Sequence, residues 1–79
     1  MNDAVIYGTD NCSYCQMAKT LCENHSIPYE YIDMTTDTKA LNELIDEIGP
    51  FRTVPQIFVD GHHVGGFDEF KKVVNGNTN

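Results

Sequence analysis

Two cysteines separated by two residues, Cys12-Ser13-Tyr14-Cys15, follow closely on the apolar run Ala4-Val5-Ile6-Tyr7 and open a helix-patterned segment. That junction constrains the rest of the chain. With Ala4 to Tyr7 as a strand and a helix beginning near Ser13, Cys12 sits where the first turn's amide N–H groups have no carbonyl partner. Their partial positive charge favours a thiolate over a thiol and leaves Cys12 exposed at the end of the strand. Cys15, one turn further in, is close enough to close a disulfide with it.

The same spacing also suits metal ligands, with Cys22 and His25 as the nearby residues that could complete a zinc site. On a continuous helix Cys22 lies about 10 Å beyond Cys15, too far to share an ion held at about 2.3 Å. Nothing breaks that helix: Met17, Ala18, Lys19 and Leu21 are good helix formers, with no Gly or Pro among them. No metal site is expected, and Cys22 reads as a small buried hydrophobe.

The 79 residues are enough for one domain, expected over 1–79 with a frayed tail from Asn75 to Asn79. A net charge of −7, with five Lys and Arg in all, argues against a nucleic-acid partner. The apolar runs are a few residues long, too short for a membrane span. Met1-Asn2-Asp3 has neither the basic start nor the apolar core of a secretion signal, so a reducing, cytoplasmic compartment is expected. Close cysteine pairs in such a compartment are usually catalytic or metal-binding, not structural.

Stepping about 100° per residue from Cys15 puts Tyr14, Ala18, Leu21, Cys22 and His25 on the inner side of the first helix. Ile27-Pro28 is expected to break it, with His25 as a cap near its end. Tyr29 to Asp33 alternates as an edge strand, completing a right-handed crossover with two parallel strands. Thr36 or Asp37 caps a second helix carrying Ala40, Leu41, Leu44, Ile45 and Ile48, which ends on Gly49-Pro50. Asp60-Gly61 between Gln56-Ile57-Phe58-Val59 and His62-His63-Val64-Gly65 signals a tight hairpin. His62 and His63 are adjacent, point to opposite faces and read as surface residues. Pro55 stands where a central strand begins, an anomaly because proline cannot donate to a ladder. Gly65-Gly66 before a last helix from Phe67 leaves exposed N–H groups open to an anion.

Cys12-Ser13-Tyr14-Cys15, Thr53-Val54-Pro55 and Gly65-Gly66-Phe67-Asp68, in this register, closely resemble the glutaredoxin family of the thioredoxin-fold superfamily. The likeness spans roughly Ala4 to Val74 and looks most like the small dithiol members of bacteria and phages. It implies an α/β fold, a four-stranded mixed sheet in the order β-α-β-α-β-β-α with three helices. It also implies a monomeric glutathione-dependent thiol–disulfide oxidoreductase, reducing protein disulfides and glutathione mixed disulfides, with ribonucleotide reductase as one client.

The resemblance assigns Cys12 as nucleophile and Cys15 as resolving thiol. Pro55 would be cis, turning the Val54 backbone toward the cysteinyl part of glutathione. Phe67 and Asp68 N–H groups would hold the γ-glutamyl carboxylate beside Gly66, and the Asp68 side chain its ammonium. Arg52 would meet the glycyl carboxylate, while Tyr14 and Thr53 border the groove. Ser13 replaces the proline of many members, and Thr9 with Asp10 stands where many carry a basic residue. An acid there opposes the thiolate, so reactivity rests on the helix terminus. Two readings stay open beside this one. The chain could be reduced by thioredoxin reductase, or, since Ser-Tyr between the cysteines resembles members that share an iron–sulfur cluster between two subunits and two glutathiones, it could carry such a cluster.

Overall fold

The apolar run near the start of the chain becomes an inner strand covered on both faces. In the computed structural model, which describes residues 3–76, β1 (Ala4–Gly8) pairs in parallel with β2 (Tyr29–Asp33) and antiparallel with β3 (Gln56–Val59). β4 (His62–Gly65) pairs with β3, so the sheet order is β2-β1-β3-β4 with β2 at one edge. α1 (Ser13–Asn24) joins β1 to β2, α2 (Thr38–Ile48) joins β2 to β3, and α3 (Phe67–Val74) follows the hairpin. This is the thioredoxin-like arrangement of three helices and a four-stranded mixed sheet that the sequence leads one to expect.

Alternation along β1 divides the core. Ala4 and Ile6 pack with Ala18, Cys22, Ile27, Ile57, Val59 and Phe70, which places α1 and α3 on one face. Val5 and Tyr7 turn the other way, against Met34, Leu44 and Phe58, which brings in α2. Ile6, Phe70 and Leu44 are almost wholly buried, and each such side chain stabilises the fold by about 1.5–3 kcal/mol.

α1 buries Cys15, Ala18 and Cys22 as its periodicity requires. Tyr14, expected on the same inner side, is instead 56% exposed. In the first turn the inward direction opens onto a groove beside Phe67, whose ring centroid is 6.0 Å from that of Tyr14, and not onto the sheet. His25 is exposed and caps the helix through its backbone, its N–H reaching the carbonyls of Leu21 and Cys22.

α1 also stops before Ile27-Pro28, the expected break. Ser26 adopts a left-handed conformation, φ 55°, its N–H donating to the Glu23 carbonyl and that of Ile27 to the Cys22 carbonyl at 2.9 Å. These are the two bonds of a Schellman stop, closed by the buried contact between Ile27 and Cys22. α2 follows its expected punctuation: the Asp37 carboxylate accepts the Ala40 N–H at 3.0 Å, and Gly49 at φ 86° ends it. Asp60 and Gly61, at φ 51° and 86°, both take the left-handed conformation that a two-residue type I′ turn requires. Of the expected frayed tail, Asn75 caps α3 and Gly76 follows it at φ 64°, while 77–79 lie outside the described residues.

Serine in the left-handed region carries a steric cost that glycine lacks. Ser26→Gly is expected to stabilise the fold by about 0.5–1 kcal/mol, raising the melting temperature by about 2–6 °C. A thermal melt by circular dichroism checks it, and an unchanged or lower midpoint contradicts this account of the helix stop.

Candidate active site

The strand-to-helix junction places two sulfurs in unequal surroundings. Cys12 is the N-cap of α1, with extended backbone at φ −137° and ψ 110°, and its Sγ accepts the Cys15 N–H at 3.1 Å. Cys12 and Cys15 form a disulfide across a Cα–Cα distance of 5.2 Å. Cys12 is part-exposed whereas Cys15 is 0% exposed, so an incoming molecule can reach only the first sulfur. Cys22 is a free thiol, fully buried; burial first, and the nearby Glu23 carboxylate second, push it up to about 11, so it stays protonated at neutral pH. Asp10, the acid nearest in sequence, is tied to the β2–α2 turn: its N–H donates to Thr35 Oγ1 at 3.2 Å, and its carboxylate accepts from that hydroxyl at 3.4 Å.

Across from Cys12 runs the segment before β3. The Val54–Pro55 peptide bond is cis, and Val54 O lies 3.9 Å from Cys12 Sγ. Pro55 is buried. The segment is braced from behind by Gln56, whose side-chain amide donates to Thr53 O at 2.8 Å and whose Oε1 meets His63 Nε2 at 2.8 Å. Because the Gln56 amine is committed to Thr53, its oxygen faces His63, which must donate from Nε2. His63 also lays its ring 5.1 Å from that of Phe58, which gives this exposed hairpin residue a bracing contact its sequence position does not suggest.

α3 supplies the third wall. Its first helical bond runs from the Phe70 N–H to the Gly66 carbonyl, so the amides before Phe70 have no carbonyl partner in the helix. The Glu69 carboxylate takes the Gly66 N–H at 2.9 Å, and bonds from its own N–H and that of Gly66 hold it below the ordinary carboxylate value. The Phe67 and Asp68 N–H groups remain at the mouth of the helix. Between these walls lies a groove of about 310 Å³ lined by Tyr14, Thr53, Val54, Pro55, Gly66, Phe67, Asp68 and Glu69. Every expected site position converges there or at the adjoining disulfide except Arg52, which is exposed and not among the lining residues. Glu69 and Gln56 are additions. Glu69 has a sequence signal, an acid three residues after the helix-opening glycine; Gln56 has none, since it reads only as the start of a strand. Among the described residues no group of three or more His, Cys, Asp or Glu side chains is gathered as a metal site.

A helix-capping cysteine paired with a buried one, on this fold, defines a thiol–disulfide oxidoreductase of the thioredoxin-like class. The Glutaredoxin family model matches residues 4–64. Glutaredoxin 1 of Escherichia coli K12 is 40% identical over 72 residues, covering 84% of this chain and 85% of that protein. The structure of reduced E. coli glutaredoxin superposes with a TM-score of 0.81 at 37% identity, covering 95% of each chain. A buckwheat glutaredoxin in complex with glutathione matches with a TM-score of 0.75 at 31% identity, over 92% of this chain and 69% of that one. The chain belongs to the glutaredoxin family, whose members use glutathione as reductant, and Cys12 and Cys15 are its redox-active pair.

The depressed Glu69 carboxyl makes a pH prediction. A carboxylate with a lowered folded pKa contributes stability that is present above its ordinary value of 4.5 and lost as pH falls through the folded value. Glu69→Gln, which keeps an acceptor oxygen but removes the charge, is expected to melt below wild type at pH 7, with the gap closing below pH 4.5. Melting curves at both ends of that window check it, and a gap that persists or widens in acid assigns the stabilisation elsewhere.

Proposed function

We propose that Cys12 is the nucleophile, Cys15 the resolving thiol and glutathione the reductant that the groove binds. The observation that carries this reading is the inequality of the two sulfurs: the accessible one stands at a helix N-terminus and at the end of a groove, and the other is sealed beneath it. As thiolate, Cys12 attacks a substrate disulfide; its sulfur bonds to one substrate sulfur and the other leaves as a thiolate. Cys15 then attacks Cys12 Sγ, releasing the reduced substrate. Two glutathione thiols return the Cys12–Cys15 disulfide to the dithiol and leave as glutathione disulfide.

The groove suits a tripeptide lying extended beside Cys12. The Val54 backbone supplies a donor and an acceptor to its cysteinyl unit, and the Phe67 and Asp68 amides receive its γ-glutamyl carboxylate. Asp68 accepts from the adjacent ammonium, Tyr14 and Thr53 flank the chain, and Gly66 lets it approach; Arg52 is the cation available for the glycyl carboxylate. Substrates are protein disulfides and protein–glutathione mixed disulfides. Ribonucleotide reductase enters as a client, and the monomer as working form, on the family resemblance alone, as does a reducing, cytoplasmic setting.

Turnover coupled to glutathione and glutathione reductase tests the reading directly. Activity that appears only with thioredoxin reductase overturns it, and a brown dimer after anaerobic reconstitution with iron, sulfide and glutathione would make the chain a cluster carrier. Cys12→Ser is expected to lose both protein-disulfide and mixed-disulfide reduction, and Cys15→Ser only the first. For Asp68→Asn the expected change is a rise of about fivefold to tenfold in KM for a glutathionylated substrate at near-constant kcat, the loss of one charge-assisted bond. A fall in kcat without change in KM would remove Asp68 from the binding site.

A further inference from the structure

We propose that Gly8 and Tyr31 form the seat of the Cys15 sulfur and are positioning residues for the half of the reaction that Cys15 carries. The inference rests on the reading of Cys15 as the resolving thiol. β1 ends on Gly8, where a methyl group would lie 2.7 Å from Cys15 Sγ and 2.9 Å from Tyr31 Cζ, with the Tyr31 hydroxyl nearer still. Sulfur and phenol oxygen thus converge on one spot that only the absence of a side chain leaves open.

None of the parts around that spot can give way easily. The Gly8 carbonyl accepts the Met34 N–H at 2.8 Å, and Gly8 is in register with Asp33 across the parallel pair, so the strand end cannot back off. Tyr31 donates its hydroxyl to the Thr9 carbonyl at 2.6 Å, packs against the buried cluster, and carries the Lys19 ammonium 4.6 Å from its ring centroid. Burial, aided by Asp33 and Asp10, raises its phenol above the ordinary value, so its proton stays on that bond. Cys15 is fully buried and its side chain is short, so its sulfur has nowhere to retreat.

In the resolving step Cys15 loses its proton as its sulfur bonds to Cys12 Sγ. The bond from Cys12 to the substrate sulfur breaks, and that sulfur leaves with the electron pair and takes up a proton. Attack requires the incoming sulfur to lie near the axis of the bond being broken, and a displacement of about 1 Å can slow such a step by about 100-fold. The route in which glutathione resolves the mixed disulfide on Cys12 makes no use of the seat. A defect at Gly8 or Tyr31 should therefore separate the two activities.

The experiment compares wild type, Cys15→Ser, Gly8→Ala and Tyr31→Phe, with circular dichroism on each preparation and two rates measured: reduction of insulin disulfides, and of a glutathione mixed disulfide. Gly8→Ala is expected to follow Cys15→Ser, losing insulin reduction at least about tenfold and keeping mixed-disulfide turnover within about twofold. Tyr31→Phe deletes one atom and introduces no clash, so it speaks even where Gly8→Ala fails to fold. It should slow insulin reduction severalfold and leave the other rate alone. Both rates falling together in a folded variant, or neither falling, overturns the seat while the resolving role of Cys15 stands. Unimpaired insulin reduction in Cys15→Ser overturns that role and the seat with it.

Discussion

The bond from the Cys15 amide to Cys12 Sγ, 3.1 Å long, lets one atom serve as both helix cap and reactive centre. Helix N-caps are ordinarily oxygens of Ser, Thr, Asp or Asn, chosen because they accept from the first turn's free amides. Sulfur in that position is a weaker acceptor when neutral and a stronger one when charged, since both the amides and the helix dipole favour an anion. Capping and thiolate formation thus pull in the same direction: on the proposed reading, the backbone of α1 itself favours the Cys12 thiolate. That matters here because Thr9 and Asp10, not a cation, precede the cysteine. The tether of Asp10 to Thr35 gives its carboxylate a partner on the far turn.

For that cap to work as a site, the elements around it must not move relative to one another. β1 provides the fixed point, packed through Ala4 and Ile6 on one face and through Val5 and Tyr7 on the other. α1 starts just beyond its end, and β3, its antiparallel neighbour, carries Val54 and Pro55 just ahead of its first residue. Gln56 then locks that approach segment to the hairpin. Each of its two hydrogen bonds contributes about 1 kcal/mol net, but losing one partner leaves a buried polar group costing about 1–3 kcal/mol. The larger penalty for breaking than gain for making is what gives the chain from Thr53 through Gln56 to His63 its stiffness.

What the sequence discloses is what local chemistry decides. The unbroken apolar run of β1, the aspartate cap and glycine stop of α2, and the Asp60-Gly61 turn all follow from the residues at those positions, and so does the place of Cys12 at the mouth of α1. The three motifs likewise converge on one groove because the spacing between them fits the β-α-β-α-β-β-α order. The features that escape are those set by a partner distant in the chain. Tyr14 lies on the inner side of a helical wheel, yet the wheel does not know where the sheet ends. Ser26 stops α1 ahead of the proline that looks like the breaker, because burial of Ile27 against Cys22 outweighs serine's reluctance to enter the left-handed region. Gln56 reads as an ordinary strand residue and is explained by Thr53 and His63, while Gly8 takes its meaning from Cys15 and Tyr31.

An acidic chain is at first sight a poor host for glutathione, which carries a net negative charge at neutral pH. Distance resolves the conflict. At physiological ionic strength the Debye length is about 8 Å, so exposed charges farther than that from the groove act on it only weakly. On the proposed reading, what the tripeptide would meet at contact is the amide mouth of α3, a local positive end, beside a carboxylate at Asp68. That pairing discriminates: a plain carboxylate finds the amides attractive but Asp68 repulsive, whereas an α-amino acid terminus satisfies both within one residue's span. Glu69 takes the Gly66 N–H at 2.9 Å, which on that reading would leave the Phe67 and Asp68 amides as the donors for the ligand carboxylate. On the proposed reading the selectivity for glutathione is therefore a property of the first turn of α3.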